Sequence, residues 1–525
     1  MIAMTLAEVA QTVGGRLGSG TDGEIVVDGP VVIDSRAAVP GALFVALPGE
    51  RVDGHDFAAA AVASGAAGVL AAHDLDVACV VVPDVQTALG ELARAVRSRL
   101  GRLRVVAVTG SSGKTSTKDL LAQVLAAVGP TVAPPNSFNN EIGVPLTVLR
   151  CSERTAVLVS ELGARMPGNI AYLCRITRPT IGVVLNVGAA HAGVFGSRAV
   201  TAATKGELVE ALPSAAAGGV AVLNLDDPLV AAMADRTTAR VVHFSAAGRP
   251  EAEVRARDVH LDDAARARFT LCLGAGPGGG RDVVELPVSL RVHGAHHVAN
   301  ALAAAAVAHA LGLAPQQIAE LLSSAAATSS GRMSLHTCPD GLVVVDDAYN
   351  ANPDSMAAAL AALVAMRRPG GRVWAVLGEM LELGPDAVAE HRRITALAAR
   401  LGVDQVLAVG AGAPLYGPST ATLQHAGDIP SALAALAAAD PSPGGQDVVL
   451  VKASRAVGLD RLARGLCAVH SVPPSGGPDR ESPENVTLPA SPGVDGQDVG
   501  GARATDGPGL RADGPLAPVP GEVGA

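Results

Sequence analysis

A short glycine loop between a strand-like and a helix-like segment limits most strongly what this chain can fold into. Residues 104–110 (RVVAVTG) form an apolar run typical of a buried strand, and residues 114–129 (KTSTKDLLAQVLAAVG) have the pattern of a helix. Backbone N–H groups and the helix dipole favour phosphate at such a junction. The common loop, G-x-x-x-x-G-K-[ST], is longer, and Val108 stands where its first glycine is expected. The loop indicates either a different class of nucleotide enzyme or an accidental match.

Alternation of strand-like and helix-like segments predicts the fold class. From about residue 103 onward, runs of Val, Ile and Leu alternate with Ala-rich helical segments, which is typical of an α/β fold with parallel sheets covered by helices. We expect three domains and a tail: a small N-terminal α/β domain (1–102), a central phosphate-loop domain with helices on both faces of a parallel sheet (103–330), a C-terminal Rossmann-like domain (331–470) and a segment at 471–525. That last segment is dense in Pro, Gly and Asp, so we expect it to be disordered.

Composition and charge exclude several classes of function. With 525 residues, 49% hydrophobic and 17% charged, the chain has enough apolar residues for well-filled cores. The net charge of -10 argues against nucleic acid and anionic membranes as partners. Six dispersed cysteines without a C-x-x-C pair indicate free thiols in a reducing cytoplasm. We expect no signal peptide and no membrane-spanning segment, because no stretch is apolar over a sufficient length, and we expect a cytoplasmic monomer.

Four polar residues fit a site for nucleotide phosphates and magnesium. Lys114 is placed to meet the β- and γ-phosphates, and the Thr115 hydroxyl to bind Mg²⁺. Glu161 and His191 each follow an apolar run, and parallel strands bring their carboxyl ends to one crevice. Taken singly, these residues also fit a Gly-Ser turn with a solvated lysine, a solvated glutamate and a loop histidine. Their shared position at strand ends favours the site, whereas Lys205, alone on a helix-like segment, has the pattern of a solvated lysine.

A series of motifs resembles one family of enzymes. The segments TGSSGKTST, NSFNNEIGVPLTVL, VSELGARMPGNIA, NVGAAHAGVFGS, TKGELVEAL, VLNLDD, GAHHVANALAAAA and DDAYNANPDSM follow one another as they do in the Mur ligases, the ATP-dependent amide-forming enzymes of peptidoglycan synthesis. The resemblance covers residues 1 to about 468. The family's phosphate loop has the short form T-G-x-x-G-K-[ST], which accounts for the length of the loop in this chain.

The motifs also favour one member of that family. The stretch DSRAAVPGALFVALPGERVDGHDF resembles the domain that binds UDP-muramoyl substrates, and NNEIGVP and DDAYNANPDSM resemble the member that adds D-alanyl-D-alanine. The resemblance implies that ATP drives ligation of D-alanyl-D-alanine to UDP-N-acetylmuramoyl-tripeptide through an acyl phosphate, with ADP and phosphate released.

Four alternatives remain beside this interpretation. The ligase that adds the third amino acid would be expected to show N-T-x-G-x-P and D-N-P-R motifs, and neither is present. A folylpolyglutamate-type synthase would not have the UDP-substrate domain, and a generic phosphate-loop kinase would have a longer loop. A nucleotide-binding regulator without catalysis would be expected to have lost some of the residues named above.

Site residues are carried over from the family by position. The resemblance implies catalytic roles for Lys114, Glu161, His191, Lys205 and Arg332. It implies magnesium ligation by Thr115, Glu161, His191 and Lys205, the last as a carbamate. It implies ATP contacts from Thr109, Gly110, Ser111, Ser112, Gly113, Lys114, Thr115, Ser116, Asn300, Arg332, Asp347, Asn350 and Asn352. It implies uridine-nucleotide contacts from Ser35 and Arg36, and further substrate contacts from Asn139 and Asn140.

Three positions depart from the family pattern. His297 follows His296 where the family usually has His-Asn, so the purine contact of that asparagine is not implied for this chain. Ala348 replaces the usual serine of DDSYNAN, and Ala453 replaces the glycine of VKGSR. None of these changes removes a charged group to which the resemblance assigns chemistry.

Overall fold

The computed structural model of the chain describes residues 1–49, 52–188, 197–274 and 283–470. In these ranges three large sheets follow one another along the chain, each with its own helices. Among the described residues, no helix is both long enough and apolar enough to cross a membrane. The segment 471–525, predicted to be disordered, lies outside the described residues.

The first sheet and its helices occupy the N-terminal part of the chain. Five strands lie in the order β2-β7-β6-β5-β4, and β1 pairs separately with β3. Asp84 caps the long helix α3 by accepting a hydrogen bond from the N–H of Thr87. The elements are β1 Met4–Thr5, α1 Leu6–Val13, β2 Arg16–Leu17, β3 Val26–Val27, β4 Val31–Val32, β5 Leu43–Val45, α2 Ala58–Ala63, β6 Gly68–Ala71, β7 Cys79–Val81 and α3 Val85–Arg99.

The central sheet has nine strands in the order β16-β15-β14-β13-β12-β11-β8-β10-β9. The run from β9 to β14 is parallel, and β14 to β16 form an antiparallel extension. The strands are β8 Arg104–Thr109, β9 Thr131–Val132, β10 Val157–Glu161, β11 Ile181–Val184, β12 Val220–Asn224, β13 Arg240–Ser245, β14 Val254–Leu261, β15 Arg266–Leu273 and β16 Val284–His293. The helices are α4 Lys114–Leu125, α5 Gly143–Val148, α6 Asn169–Thr177, α7 Arg198–Glu210, α8 Pro228–Ala231, α9 His297–Ala310 and α10 Pro315–Ser324.

The alanine-rich helix α9 has a central place in this domain. It is buried along nearly its whole length, and it packs against α4, the helix that follows the glycine loop. Small side chains let the two helix backbones approach closely, so a core poor in aromatic residues is still filled. The start of α4 is therefore fixed from one side by the helix core and from the other by strand β8.

The third sheet has six strands in the order β17-β18-β22-β19-β20-β21, all parallel except β17. Helix α11 begins with Asn352 and Ser355 bonded reciprocally in a capping box. The elements are β17 Ser334–Thr337, β18 Val343–Asp346, α11 Pro353–Ala365, β19 Val373–Gly378, α12 Ala387–Leu401, β20 Gln405–Val409, β21 Leu423–Ala426, α13 Ile429–Ala438, β22 Val448–Lys452 and α14 Asp460–Val469.

The α/β fold class is confirmed, with one feature that the alternation did not predict. Strands β14 to β16 form an antiparallel ribbon, in which solvent-facing residues alternate with buried ones. Such a ribbon needs no covering helix on its open face, so its segments do not have the helix-strand alternation of the parallel part.

Candidate active site

The glycine loop lies at the junction of β8 and α4, as predicted. Thr109 ends the strand and Lys114 begins the helix. Gly113, at the helix cap, has a left-handed backbone with φ of 80°, and a Cβ atom added there would lie 2.6 Å from Oδ1 of Asn300. Only glycine adopts this left-handed backbone without strain and leaves room for the Asn300 side chain. The loop therefore brings backbone and the start of a helix close together, which is the geometry that phosphate binding requires.

A neighbouring strand end holds the loop in shape. Asn186, just beyond β11, accepts a hydrogen bond from the N–H of Ser112 at 2.9 Å and donates to the carbonyl of the same residue at 3.2 Å. The Asn186 carbonyl also accepts from the N–H of Ser111, whose hydroxyl accepts from the N–H of Gly188 at 2.9 Å. The loop is therefore preorganised by the crevice at the carboxyl ends of two adjacent strands.

The hydroxyl of Thr115 is the meeting point of three segments. It lies 2.8 Å from Oγ of Ser137, and Nη2 of Arg332 donates to both oxygens, at 2.9 and 3.1 Å. Lys114 reaches back over the loop and donates to the carbonyl of Gly110 at 2.7 Å. Two cations and a helix start thus face one place, which suits an anion with several negative charges.

Electrostatic contacts link Lys114 to the other candidates. Burial lowers the pKa of its ammonium, the carboxylate of Glu161 acts in the opposite direction, and Arg332 lowers the pKa further. These interactions place all three side chains in one electrostatic cluster. A charged phosphate bound among them would stabilise both cations.

Glu161 has the environment of a metal ligand. It ends β10 and is 1% exposed. Its Oε1 atom accepts a hydrogen bond from Nδ2 of Asn139 at 2.8 Å, while Oε2 is buried with no hydrogen-bond partner in the described part of the chain. A buried, unpaired carboxylate oxygen is costly, so this atom is suited to receive a cation. Asn139 thus holds the carboxylate in place.

Lys205 is buried, contrary to the pattern of a solvated lysine. It lies on α7 with 3% exposure, and no acidic group of the described residues forms an ion pair with it. Burial lowers its pKa to about 7, and repulsion by Lys114 acts in the same direction. A lysine with this pKa is substantially a neutral amine near neutral pH, and the neutral amine is the form that reacts with carbon dioxide.

Arg332 connects the central domain to the C-terminal one. Its guanidinium carbon lies 4.5 Å from the centroid of the Tyr349 ring, and that of Arg455 lies 5.4 Å from the same centroid. The N–H of Tyr349 donates to the carbonyl of Gly331 at 3.2 Å. The arginine that reaches Thr115 is therefore positioned by a tyrosine of the C-terminal domain.

Asp347 lies in a buried network beside residues 325–333, which connect α10 to β17 and which we call the linker. Its Oδ2 atom pairs with Nζ of Lys452 at 2.7 Å, and its Oδ1 atom accepts from the N–H of Met333 at 3.2 Å. Lys452 also donates to the carbonyl of Asn350 at 2.8 Å. The contact of Asp347 and Asn350 with a nucleotide stays a prediction, and the observed contacts fix the backbone that follows Arg332.

Two other predicted asparagines accept hydrogen bonds from backbone N–H groups at the starts of helices. Oδ1 of Asn352 accepts from the N–H of Ser355 at 2.9 Å, and Oδ1 of Asn140 accepts from the N–H of Gly143 at 2.9 Å. These bonds satisfy backbone groups at helix starts. Ligand contacts of both residues also stay predictions.

The first turns of α4 and α9 contact each other beside the loop. Asn300 is 4% exposed and lies against Gly113, and its Nδ2 atom is 3.3 Å from Nδ1 of His297. Burial holds the pKa of His297 well below its usual value, so its ring is neutral. Ser116 is half-buried in the first turn of α4. Asn300 thus lies beside the phosphate loop, and its contact with ATP stays a prediction.

Three predicted residues lie away from this cluster or outside the described part. Ser35 and Arg36 form a short turn after β4 in the N-terminal domain, where Arg36 pairs with Asp34 at 2.8 Å. His191 lies outside the described residues, so its metal ligation stays a prediction.

Two residues of the site were not identified from the sequence. Ser137 contacts both Thr115 and Arg332, and Tyr349 packs against Arg332. Both belong to the motifs NSFNNEIGVPLTVL and DDAYNANPDSM, so the motifs indicated the right segments but not these side chains.

Comparison with family models assigns nearly the whole described chain. Residues 30–108 match the model described as "Mur ligase family, catalytic domain", residues 108–308 the "Mur ligase middle domain", and residues 331–455 the "Mur ligase, glutamate ligase domain".

Curated relatives match over most of their length. The UDP-N-acetylmuramoyl-tripeptide--D-alanyl-D-alanine ligase of Mycobacterium tuberculosis (strain ATCC 25618 / H37Rv) is 48% identical over 516 residues, covering 89% of this chain and 98% of that protein. The Escherichia coli (strain K12) enzyme of the same name is 36% identical over 470 residues, covering 89% of this chain and 99% of that protein.

Solved structures agree with these matches. MurF from Acinetobacter baumannii superposes with a TM-score of 0.78 at 31% identity, covering 89% of this chain and 99% of the other. MurF ligase from Thermotoga maritima in complex with ADP has a TM-score of 0.70 at 28% identity, covering 84% and 98%. From the matched domains, these identities and the buried cluster at the short phosphate loop, we conclude that the chain belongs to the Mur ligase family.

Proposed function

We propose that this protein joins D-alanyl-D-alanine to UDP-N-acetylmuramoyl-tripeptide at the expense of ATP, giving the pentapeptide precursor of peptidoglycan. The observation that carries the proposal is the meeting of Lys114, Thr115 and Arg332 at the short loop, with the buried Glu161 beside them. The relative that is 48% identical and bears the name of this activity supports the choice of substrates.

The reaction needs an activated carboxylate, since forming an amide from a carboxylate and an amine in water is uphill. In the proposed sequence, a carboxylate oxygen of the tripeptide attacks the γ-phosphorus of ATP, and ADP leaves. The amine of D-alanyl-D-alanine then attacks the acyl carbon of the acyl phosphate, and the tetrahedral intermediate collapses with loss of phosphate. The amine loses one proton overall.

The residues at the loop would neutralise the negative charge of the transferred phosphoryl group. Lys114 and Arg332 would face its oxygens from two sides, and the start of α4 would hold the β-phosphate. Because these donors are already fixed by Gly110, Ser137 and Tyr349, little reorganisation is needed during the reaction.

The residues present fit a magnesium ion. The unpaired Oε2 of Glu161 and the hydroxyl of Thr115 offer the oxygen atoms that Mg²⁺ prefers, and we propose a carbamylated Lys205 and His191 as further ligands. When bound, the ion would supply positive charge to the phosphate oxygens.

The same proposal assigns a separate role to each domain. The N-terminal domain, with Ser35 and Arg36, would hold the uridine nucleotide, and the C-terminal domain would contribute Asp347, Asn350 and the dipeptide contacts. Since these contacts come from different domains, closure of the domains should precede chemistry. None of the six cysteines, all of which lie in the described residues, forms a disulfide, which supports a reducing cytoplasm as the location, and we propose a monomer.

A panel of acceptors tests the proposed function. The purified protein is incubated with ATP, magnesium and either the UDP-muramoyl-tripeptide or the UDP-muramoyl-dipeptide, and with D-alanyl-D-alanine, D-alanine, lysine or diaminopimelate, and products are identified by mass. We expect product only from the tripeptide with D-alanyl-D-alanine. Product from the dipeptide with a diamino acid would identify the ligase of the third residue instead, and inactivity with every pair would favour a regulator.

A further inference from the structure

A buried ion pair lies one helical turn below the phosphate site, and the proposed reaction does not use it. Lys118 and Asp119 on α4 are 2% and 5% exposed, and Nζ of Lys118 lies 2.5 Å from Oδ1 of Asp119. Neither residue is in the first turn of the helix, so neither is placed to contact phosphate directly. Burying two charges is costly unless their remaining hydrogen bonds are satisfied.

The remaining bonds of this pair go to two other segments. Lys118 donates to the carbonyl of Pro134 at 3.0 Å and to Oγ of Ser329 at 3.2 Å. Asp119 accepts from the N–H of Ser329 at 3.0 Å and from its hydroxyl at 3.1 Å. All three ammonium donors and both carboxylate oxygens therefore have partners, and the pair joins α4 to the linker between the central and C-terminal domains.

The contacts around Lys118 form a second layer below the phosphate site. This layer repeats the contacts of the site, displaced by three residues along each of the three segments that meet there. Thr115, Ser137 and Arg332 meet at the site, whereas Lys118, Pro134 and Ser329 meet below it. The spacing is three residues on the helix, toward the carboxyl end, and three residues on each of the other two segments, toward the amino end. A shift of either segment along α4 would thus misplace both layers together.

Hydrogen bonds between the side-chain amide of Gln123 and the backbone of Ala326 extend the contact along the helix. Gln123 donates to the carbonyl of Ala326 at 2.8 Å and accepts from its N–H at 3.1 Å. The linker is therefore bonded to α4 at residues 326, 329 and 332 in succession. We call the lower contacts, made by Lys118, Asp119 and Gln123 with Ala326 and Ser329, the linker clamp.

Lysine usage also distinguishes Lys118. The chain has 40 lysine and arginine residues, and only four of them are lysines, namely Lys114, Lys118, Lys205 and Lys452. The other three belong to the site or to the Asp347 network. An ammonium is a compact charge with three donors, whereas a guanidinium is a planar fork, so arginine cannot make the same three contacts in a closed space.

We infer that the linker clamp sets the position of Arg332 in the phosphate site, which makes Lys118, Asp119 and Ser329 positioning residues for phosphoryl transfer. This inference rests on the proposed function for its kinetic test, and on the described contacts alone for its structural test. The clamp fixes the linker three residues before Arg332. As a result, Nη2 of Arg332 is held within hydrogen-bonding distance of Thr115 and Ser137.

Kinetics of a double-mutant cycle test the inference. Ser329→Ala removes one hydroxyl and leaves the Lys118–Asp119 pair, and a misplaced catalytic group lowers kcat by about 10- to 100-fold. We expect that loss in the wild-type background, with KM for the dipeptide unchanged, and no further loss in an Arg332→Ala background. Ser324→Ala is the matched control, since among the described residues that exposed hydroxyl bonds only to the carbonyl of Leu321 in its own helix end; it should leave kcat unchanged.

Two results of the cycle would overturn the inference. One is an unchanged kcat for Ser329→Ala, and the other is an equal loss in both backgrounds, which would mean that Ser329 affects something other than Arg332. Lys118→Arg keeps the charge but not the geometry, so wild-type kcat in that variant would also contradict it.

Hydrogen exchange provides a test that does not depend on the ligase reaction. In the full chain, the amide protons of Ala326 and Ser329 should exchange faster in Asp119→Asn than in wild type, while those of the α9 core stay protected. Unchanged exchange at both amides would reject the clamp even if the acceptor panel succeeds. Faster exchange would support it even if the panel fails, so the two proposals are tested separately.

Discussion

Individual residues at this site are defined by burial as much as by charge. Glu161 keeps one carboxylate oxygen without a hydrogen-bond partner among the described residues, and Lys205 is buried without an acidic partner there. Each would be unfavourable alone. Both interact electrostatically with Lys114, and we propose that a cation and a carbamate on Lys205 offset these costs.

Removal of Lys205 tests the carbamate. Lys205→Ala should lower kcat by about 100-fold or more, as for loss of one preorganised electrostatic group, and added acetate or formate should restore part of the activity. Lys205→Arg is the control, because a guanidinium stays charged and cannot form a carbamate; it should be inactive and not rescued. Full activity of Lys205→Ala without any added acid would remove Lys205 from the site.

At the scale of elements, the glycine loop depends on a single backbone conformation. Gly113 and Gly168 both precede a helix with left-handed backbone, at φ of 80° and 87°. A Cβ at Gly113 would contact Asn300, whereas one at Gly168 would meet no atom of the described residues within 4 Å. A substitution at Gly168 therefore tests backbone strain alone, whereas one at Gly113 tests the same strain together with the steric contact with Asn300.

A pair of substitutions uses this difference. Gly168→Ala should cost about 1–2 kcal/mol of stability from left-handed strain alone and leave KM for ATP unchanged. Gly113→Ala should show the same strain and also raise KM for ATP, because the Asn300 side chain must move away from the loop. Equal KM values for the two variants would contradict the assignment of the loop to ATP. Thermal unfolding and ATP titration of initial rates provide the measurements.

Much of the element pattern could be predicted from the sequence, and the exceptions have physical reasons. The strand, loop and helix around Gly113 follow from local propensity and glycine spacing. The ribbon β14 to β16 was missed because one face is exposed and its residues alternate with period two. Lys205 was identified only by resemblance, since nothing local distinguishes a buried lysine on a helix from a solvated one. The three-residue register shared by Thr115, Ser137 and Arg332 depends on tertiary contacts, which no single segment encodes.

At the scale of the whole molecule, the buried pair of Lys452 and Asp347 ties the linker to the C-terminal domain. The two side chains are 3% and 12% exposed, and Asp347 also holds the N–H of Met333. This domain contains Trp374, the only tryptophan of the chain. Its fluorescence therefore reports on unfolding of this domain within the full protein.

Loss of that pair should destabilise the domain. Lys452→Met leaves a buried carboxylate without its cation, and we expect the free energy of unfolding to fall by about 3–5 kcal/mol, measured by Trp374 fluorescence in urea. Arg464→Met removes the exposed pair with Asp460, where the arginine side chain is 63% exposed, and should cost about 0–1 kcal/mol. Similar midpoints for both variants would show that the buried pair is not important for the fold.

The most direct test of the proposed mechanism follows oxygen from substrate to phosphate. UDP-N-acetylmuramoyl-tripeptide labelled with ¹⁸O in both oxygens of its reacting carboxylate is converted with ATP and D-alanyl-D-alanine, and the released phosphate is analysed by mass. An acyl phosphate transfers one carboxylate oxygen to phosphorus, so each phosphate should carry one ¹⁸O and the new amide should keep the other. Phosphate without label would mean that water, and not the carboxylate, attacks ATP, and would contradict the proposed mechanism.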